Sequence, residues 1–195
     1  MFSMLNNAIL FLLKTLLDLL TIAFLLRFYF QLTKVSFQTQ AAQLIVSLTN
    51  FAVKPTRRIV PSIGSLDLST LLLAYSTQVV LSLLSFWLKG FPFLIVGSQI
   101  WLVMLGIAAL SIASMSLTIF LYAVLIQAIL SWVNPYTPIA PVLSNLTNPV
   151  LNWLRRYIPT AGNVDLTPLV FIIAAQLLHI TILIPLENNL LAMMY

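Results

Sequence analysis

The sequence predicts an all-α integral membrane protein of two parallel tandem repeats, each a transmembrane helix, an interfacial amphipathic helix pair and a second transmembrane helix. Three observations carry this prediction. Of the 195 residues, 61% are hydrophobic and 7% are charged, with a mean hydropathy of +1.07. A water-soluble domain carries roughly a quarter charged residues, so this composition cannot coat a globule. Apolar runs occupy residues 5–30, 68–88, 91–133 and 166–186, and a helix needs about 20 residues to cross the hydrocarbon. Finally, one segment of the chain recurs in its second half.

The first run opens MFSMLNNAILFLLKTLLDLL, with neither a basic leader nor a small-residue cleavage site, and reads as an uncleaved first span. The polar gap after it is not a loose loop. Ala41, Leu44, Ile45, Leu48, Phe51 and Ala52 recur at helical spacing, with Gln40, Gln43, Ser47 and Asn50 elsewhere on the wheel. Such a helix lies in the headgroup plane. Pro55 is expected to break it, leaving a short second helix that ends near Pro61. Residues 68–88 form the next span, and Lys89-Gly90-Phe91-Pro92 is a turn signal.

The run 91–133 is too long for one crossing, so charge placement must decide its division. The net charge of +5 is clustered: Arg27, Lys34, Lys54, Arg57 and Arg58 belong to the first polar gap, Arg155 and Arg156 to the second. If both gaps face the cytoplasm, an even number of crossings separates them, and this run supplies only one. Residues 91–104 are therefore read as an interfacial or partly inserted helix on the outer side, anchored by Trp101. The rival is one long leaning helix. Residues 105–133 are the next crossing. Val142, Leu143, Leu146, Val150, Trp153, Leu154 and Tyr157 form the second amphipathic stretch, interrupted by Pro149, and 166–186 is the last span.

The repeat supports this division. LTNFAVKPTRRIVPSIGSLDLSTL (48–71) aligns without a gap on LTNPVLNWLRRYIPTAGNVDLTPL (146–169), with ten of 24 positions identical. The matches include Arg57/Arg155, Arg58/Arg156, Pro61/Pro159, Gly64/Gly162 and Asp67/Asp165, and further on Gln78 meets Gln176. Two spans per unit make the units parallel. The domains are then a first repeat at 1–90, an inter-repeat segment at 91–104 and a second repeat at 105–195.

The Arg-Arg-x-x-Pro-x-x-Gly-x-x-Asp core, twice over, is similar to the two repeats of the YggT family, also called YlmG-type membrane proteins, and Leu130-Ser131-Trp132 matches the family's LSW-type ending. The first repeat departs from the pattern with Phe30-Gln31-Leu32 in place of Ser-Trp and with Thr70 where proline is usual, whereas Pro168 fits. The resemblance implies an integral membrane protein without a known catalytic activity. It also implies roles tied to osmotic-stress tolerance linked with cation uptake and, in photosynthetic relatives, to division, nucleoid organisation and haem attachment.

Each notable residue has a structural and a functional reading. The pairs Arg57-Arg58 and Arg155-Arg156 either fix orientation or dock anionic headgroups or a partner, since each basic residue near an anionic leaflet contributes about 1 kcal/mol. Gly64 and Gly162 supply a sharp exit from the interfacial helix. Asp67 and Asp165 are expected to cap the following spans, with a second role as ion-pair partners of Arg58 and Arg156. Lys14 and Asp18, four apart, share a helix face and are expected to pair within the membrane, or else to handle an ion or proton. In the alignment of the first spans their counterparts are Ser114 and Thr118. Gln78 and Gln176 are read as packing bonds between helices. His179, the single histidine, is expected to be packed and hydrogen-bonded, and alone it excludes a haem held by two histidines.

The chain has no cysteine, which removes disulfides and thiolate chemistry. Neither a triad nor a glycine-rich phosphate loop is present. The expectation is a non-enzymatic organiser or assembly factor in the cell inner membrane, multi-pass, supporting osmotic-stress tolerance, with its Arg-rich loops cytoplasmic and no cofactor. Its expected partners are anionic membrane lipids and a membrane protein or a second copy, with no direct nucleic-acid contact. The alternative is a component of cation transport or homeostasis using Asp18 and Lys14.

Overall fold

The computed structural model describes residues 2–91, 99–158 and 165–193. Within them the chain is helical: α1 Phe2–Leu32, α2 Gln40–Thr56, α3 Leu68–Leu88, α4 Gln99–Val133, α5 Ala140–Leu154, α6 Thr167–Leu178 and α7 Ile184–Ala192, with a π-turn at His179–Leu183 joining the last two. Four helical stretches are long and apolar enough to cross a membrane: Met4–Leu32, Leu68–Leu88, Ile100–Val133 and Thr167–Ala192. At 1.5 Å per residue the third is ~50 Å long against ~30 Å of hydrocarbon, so it extends beyond the apolar layer even when tilted.

Within each half the two long helices pack together, α1 on α3 and α4 on α6–α7, and α2 and α5 lie against the first helix of their own half. The halves meet where α4 packs on α3 and, less extensively, on α1. Three apolar clusters mark these junctions. Phe30, Val35, Ala42, Ala123, Val142, Leu143 and Leu146 join the ends of α1 and α4 to α2 and α5. Phe24, Leu25, Val53 and Ala74 form the centre of the first half, with Ile112, Met115 and Ile119 of α4 laid over it. Phe86, Ile100, Val103, Met104 and Ile107 join the far ends of α3 and α4. Between the halves lies an apolar cleft of about 520 Å³, walled by α1, α2, α4 and α5.

Three expectations about the elements are corrected. The prolines do not break the two helices: Pro55 falls one residue before the end of α2, and α5 continues past Pro149 to Leu154. The carbonyl that Pro149 leaves without a donor is that of Asn145, and both residues lie on the exposed side of α5, where solvent or headgroups replace the lost bond. The short second helix does not form, because the chain passes from Thr56 through turns at 57–60. Finally, residues 99–104 are the first turns of α4 and not a separate interfacial segment. Ile100, Val103 and Met104 bury themselves against Phe86, and that contact extends the helix. The remainder of the expected segment, 92–98, lies outside the described residues.

Candidate functional site

The duplicated motif folds into a corner between a shorter helix, α2 or α5, and the long apolar helical stretch that follows. In the first repeat α2 ends at Thr56 with Arg57 as its C-cap. The chain then reverses in a tight turn, in which Ile63 and Leu66 exchange both backbone N–H···O bonds at 3.0 Å across Gly64-Ser65. Gly64 takes φ +60°, a conformation that costs glycine nothing. This reversal returns Asp67 to Arg57, whose guanidinium donates to the Asp67 carboxylate. Arg57 Nη2 also donates to Gln31 Oε1 at 3.1 Å, tying the corner to the end of α1. The Ser69 hydroxyl donates to the Val60 carbonyl, and the Thr70 hydroxyl to the Asp67 carbonyl at 2.9 Å.

The second repeat rebuilds the ion pair. Arg155, C-cap of α5, donates from Nε to Asp165 Oδ2 at 2.9 Å and from Nη1 to Asn152 Oδ1 at 2.9 Å. Asp165 Oδ1 accepts from the Thr167 backbone N–H at 2.9 Å, which satisfies a donor at the start of α6. The two corners differ in depth. Asp67 is wholly buried against a side chain of Arg57 that is 40% exposed, whereas the Arg155 and Asp165 side chains are 42% and 36% exposed. Partial burial pushes the Asp165 carboxyl up, but the bonds from Thr167 and Arg155 outweigh it and hold the group below its ordinary value. Pro61 is exposed in the first corner; Pro159 and Gly162 lie outside the described residues.

Two expectations are corrected at this site. The carboxylates pair with the first arginine of each couple, Arg57 and Arg155, and not with Arg58 and Arg156. The first arginine of each couple is the C-cap of its helix and meets the carboxylate that returns ten residues later, while the second stands one residue further into the turn. Nor does the Asp67 side chain cap α3: it makes no capping hydrogen bond, because its carboxylate is turned toward Arg57. Arg58 and Arg156 are exposed and carry no ion pair among the described residues.

A second polar feature was not anticipated. Arg27 belongs to α1 rather than to the polar gap, and it is buried. Its Nη1 donates to Thr49 Oγ1 at 2.7 Å and Asn50 Oδ1 at 3.0 Å, pinning α2 to α1. In the second half the Thr147 hydroxyl donates to Gln127 Oε1 of α4, joining α5 in the same way. The available signal was the identity of Thr49 with Thr147 and of Asn50 with Asn148 in the repeat.

Inside the spans Lys14 and Asp18 do not pair. Gln78 Nε2 donates to Asp18 Oδ1 at 3.0 Å, to Thr21 Oγ1 at 3.1 Å and to the Met115 sulfur at 3.5 Å, so Asp18 is held by a neutral amide across the α1–α3 contact. Lys14 is exposed, its long stem free to carry the ammonium along the outer face. Gln176 does not repeat this arrangement: it is exposed and its side chain has no hydrogen bond among the described residues. His179 is half-buried at the start of the π-turn, and its imidazole likewise has no hydrogen bond among the described residues. No three His, Asp or Glu residues converge as metal ligands would among the described residues.

This architecture defines a class: helical proteins with four apolar helices able to cross a membrane and a duplicated Arg–Asp corner beside them. The chain belongs to the CCB3/YggT family, whose model matches residues 6–88 and again 106–186. Among its relatives, an uncharacterised protein of Pseudomonas aeruginosa is 35% identical over 191 residues, covering 97% of this chain and 93% of the relative. The uncharacterised protein YggT of Escherichia coli K12 is 32% identical over 174 residues, covering 89% and 88%. A protein encoded in the proC 3' region of Vibrio alginolyticus is 35% identical over 175 residues, covering 87% and 90%. No solved structure matches the chain.

Proposed function

We propose that the protein is a non-enzymatic organiser or assembly factor of the inner membrane, which docks anionic lipid or partner proteins through its arginine-bearing interfacial helices on the cytoplasmic side. One observation carries this reading: in both repeats one arginine of the couple is tied down and the other has no ion pair among the described residues. Arg57 and Arg155 hold their corners closed, and Arg58 and Arg156 stand exposed one residue later. Exposed apolar side chains lie close to the second arginines along the chain, Phe51 and Ile59 in the first repeat and Trp153 and Tyr157 in the second. A rim of cations beside apolar anchors is the arrangement by which a helix lies in the headgroup layer of an anionic leaflet. An orienting charge alone does not require the same offset from Pro, Gly and Asp twice.

The test is Arg58→Glu with Arg156→Glu, which leaves both ion pairs intact. Recovery of anionic lipid and of co-purifying membrane proteins from native nanodiscs should fall together, and unchanged recovery of both would refute the proposal. A second reading, a component of cation homeostasis supporting osmotic-stress tolerance, draws on the Asp18 carboxylate held by Gln78 within the spans. In that case Asp18→Asn abolishes growth under osmotic stress while Arg58→Glu does not.

A further inference from the structure

The contact between the two halves is one-sided. The ridge Ile112–Met115–Ile119 of α4 seats in the groove between α1 and α3, over the cluster of Phe24, Leu25 and Ala74, and Met115 reaches the Gln78 amide. The alignment of the first spans, which pairs Asp18 with Thr118, pairs this ridge with Leu12, Thr15 and Leu19 of α1. The alignment of the motif pairs Gln78 with Gln176. The same interface made the other way round would therefore lay the α1 ridge into the groove between α4 and α6, over Gln176.

Among the described residues of one chain that second contact is missing. Leu12, Thr15 and Leu19 are exposed, and the principal partners of α1 are α2, α3 and α4. The groove of the second half is bare at the matching place: a cleft of about 200 Å³ lined by Thr118, Tyr122, Gln176 and His179. Neither the Gln176 nor the His179 side chain has a hydrogen bond among the described residues, although both belong to the apolar stretch Thr167–Ala192. Unpaired amide and imidazole groups facing lipid are costly and demand a partner. The π-turn beginning at His179 marks the place again, since such turns gather at functional positions in helices.

We infer that the protein associates with a second copy of itself head to tail, the α1 ridge Leu12–Thr15–Leu19 of one copy seating over Gln176 and His179 of the next. The chain already contains one example of this interface between its own halves, and both faces needed for another are left open. The Thr15 hydroxyl, which donates to the Phe11 carbonyl at 2.8 Å, keeps acceptor capacity for the Gln176 amide, the place that the Met115 sulfur fills for Gln78. Contacts of this heterologous kind continue from copy to copy and close into a ring where the rotation allows.

The chain has no cysteine, so disulfide trapping in native membranes starts from a clean background. Thr15→Cys with Gln176→Cys in one chain should give a ladder of dimers and larger species, and co-expressed, differently tagged single variants should give a mixed dimer. Each single variant alone should stay monomeric. Gln78→Cys with Met115→Cys is the reference and should link within one chain only. Dimers of Gln176→Cys alone would overturn the proposal in favour of a two-fold interface. A link between positions 15 and 176 confined to one chain would overturn it too, showing that α1 folds over its own groove. A second readout needs no substitution: the mass of the unaltered protein released with its lipids should be a multiple of 21.8 kDa, and a single-copy mass overturns the proposal.

Discussion

Removing one arginine from each corner separates two ion pairs of the same sequence by their depth. Arg57→Ala strands the Asp67 carboxylate, which is 0% exposed and whose Oδ1 has no hydrogen-bond partner even with Arg57 present. Breaking a buried pair from one side costs about 3–5 kcal/mol, because an uncompensated charge is left inside. Arg57 is itself 40% exposed, which places the loss near the lower end, about 3 kcal/mol. Arg155→Ala leaves Asp165 36% exposed and still bonded to the Thr167 N–H, so the loss is about 1 kcal/mol or less. Adding Asp67→Ala to Arg57→Ala removes the stranded charge and should recover most of the difference. Reversible unfolding in mixed micelles measures all three variants. If Arg155→Ala proves as damaging as Arg57→Ala, or if the double variant is no better than Arg57→Ala, the argument from burial is wrong.

Gln78→Leu should lower stability by about 1 kcal/mol in the same assay, within the range found for polar bonds between membrane helices, whereas Gln176→Leu should be neutral in monomeric micelles. Because Asp165 titrates below its ordinary 3.8, its contribution is complete above that pH and is lost as the pH falls through the lowered value. A pH series of unfolding midpoints should therefore show an acid-side decline that Asp165→Asn flattens; an unchanged decline would exclude Asp165 as its source. Gly64→Ala should cost about 1 kcal/mol from backbone strain alone, as φ is +60° and nothing lies within 4 Å of the added Cβ. A crystal or exchange study showing the corner intact with no loss of stability would contradict this.

Much of the architecture is legible in the chain by itself. Four helices able to cross a membrane and the all-α class follow from the length of the apolar runs, and the duplicated corner follows from Arg, Pro, Gly and Asp recurring at one spacing. These are local properties: hydropathy and offset along a chain do not depend on what the helix later touches. The continuity of α5 through Pro149 and the joining of residues 99–104 to α4 were not legible. One depends on which side of the helix is solvated, the other on the burial of Ile100, Val103 and Met104 against α3.

Partner choice belonged entirely to the tertiary structure. Spacing places Lys14 and Asp18 on one face of α1, but the rotation of α1 against α3 aims Asp18 at Gln78 and leaves Lys14 outside. Two adjacent arginines are equivalent on paper; the return path of the chain selects Arg57 and Arg155 for the carboxylates. Arg27 looked like one more positive charge beside a span until α2 docked over it and its guanidinium met Thr49 and Asn50. Sequence determines angles within a helix, about 100° per residue, while the angle between two helices is set by how their side chains interlock.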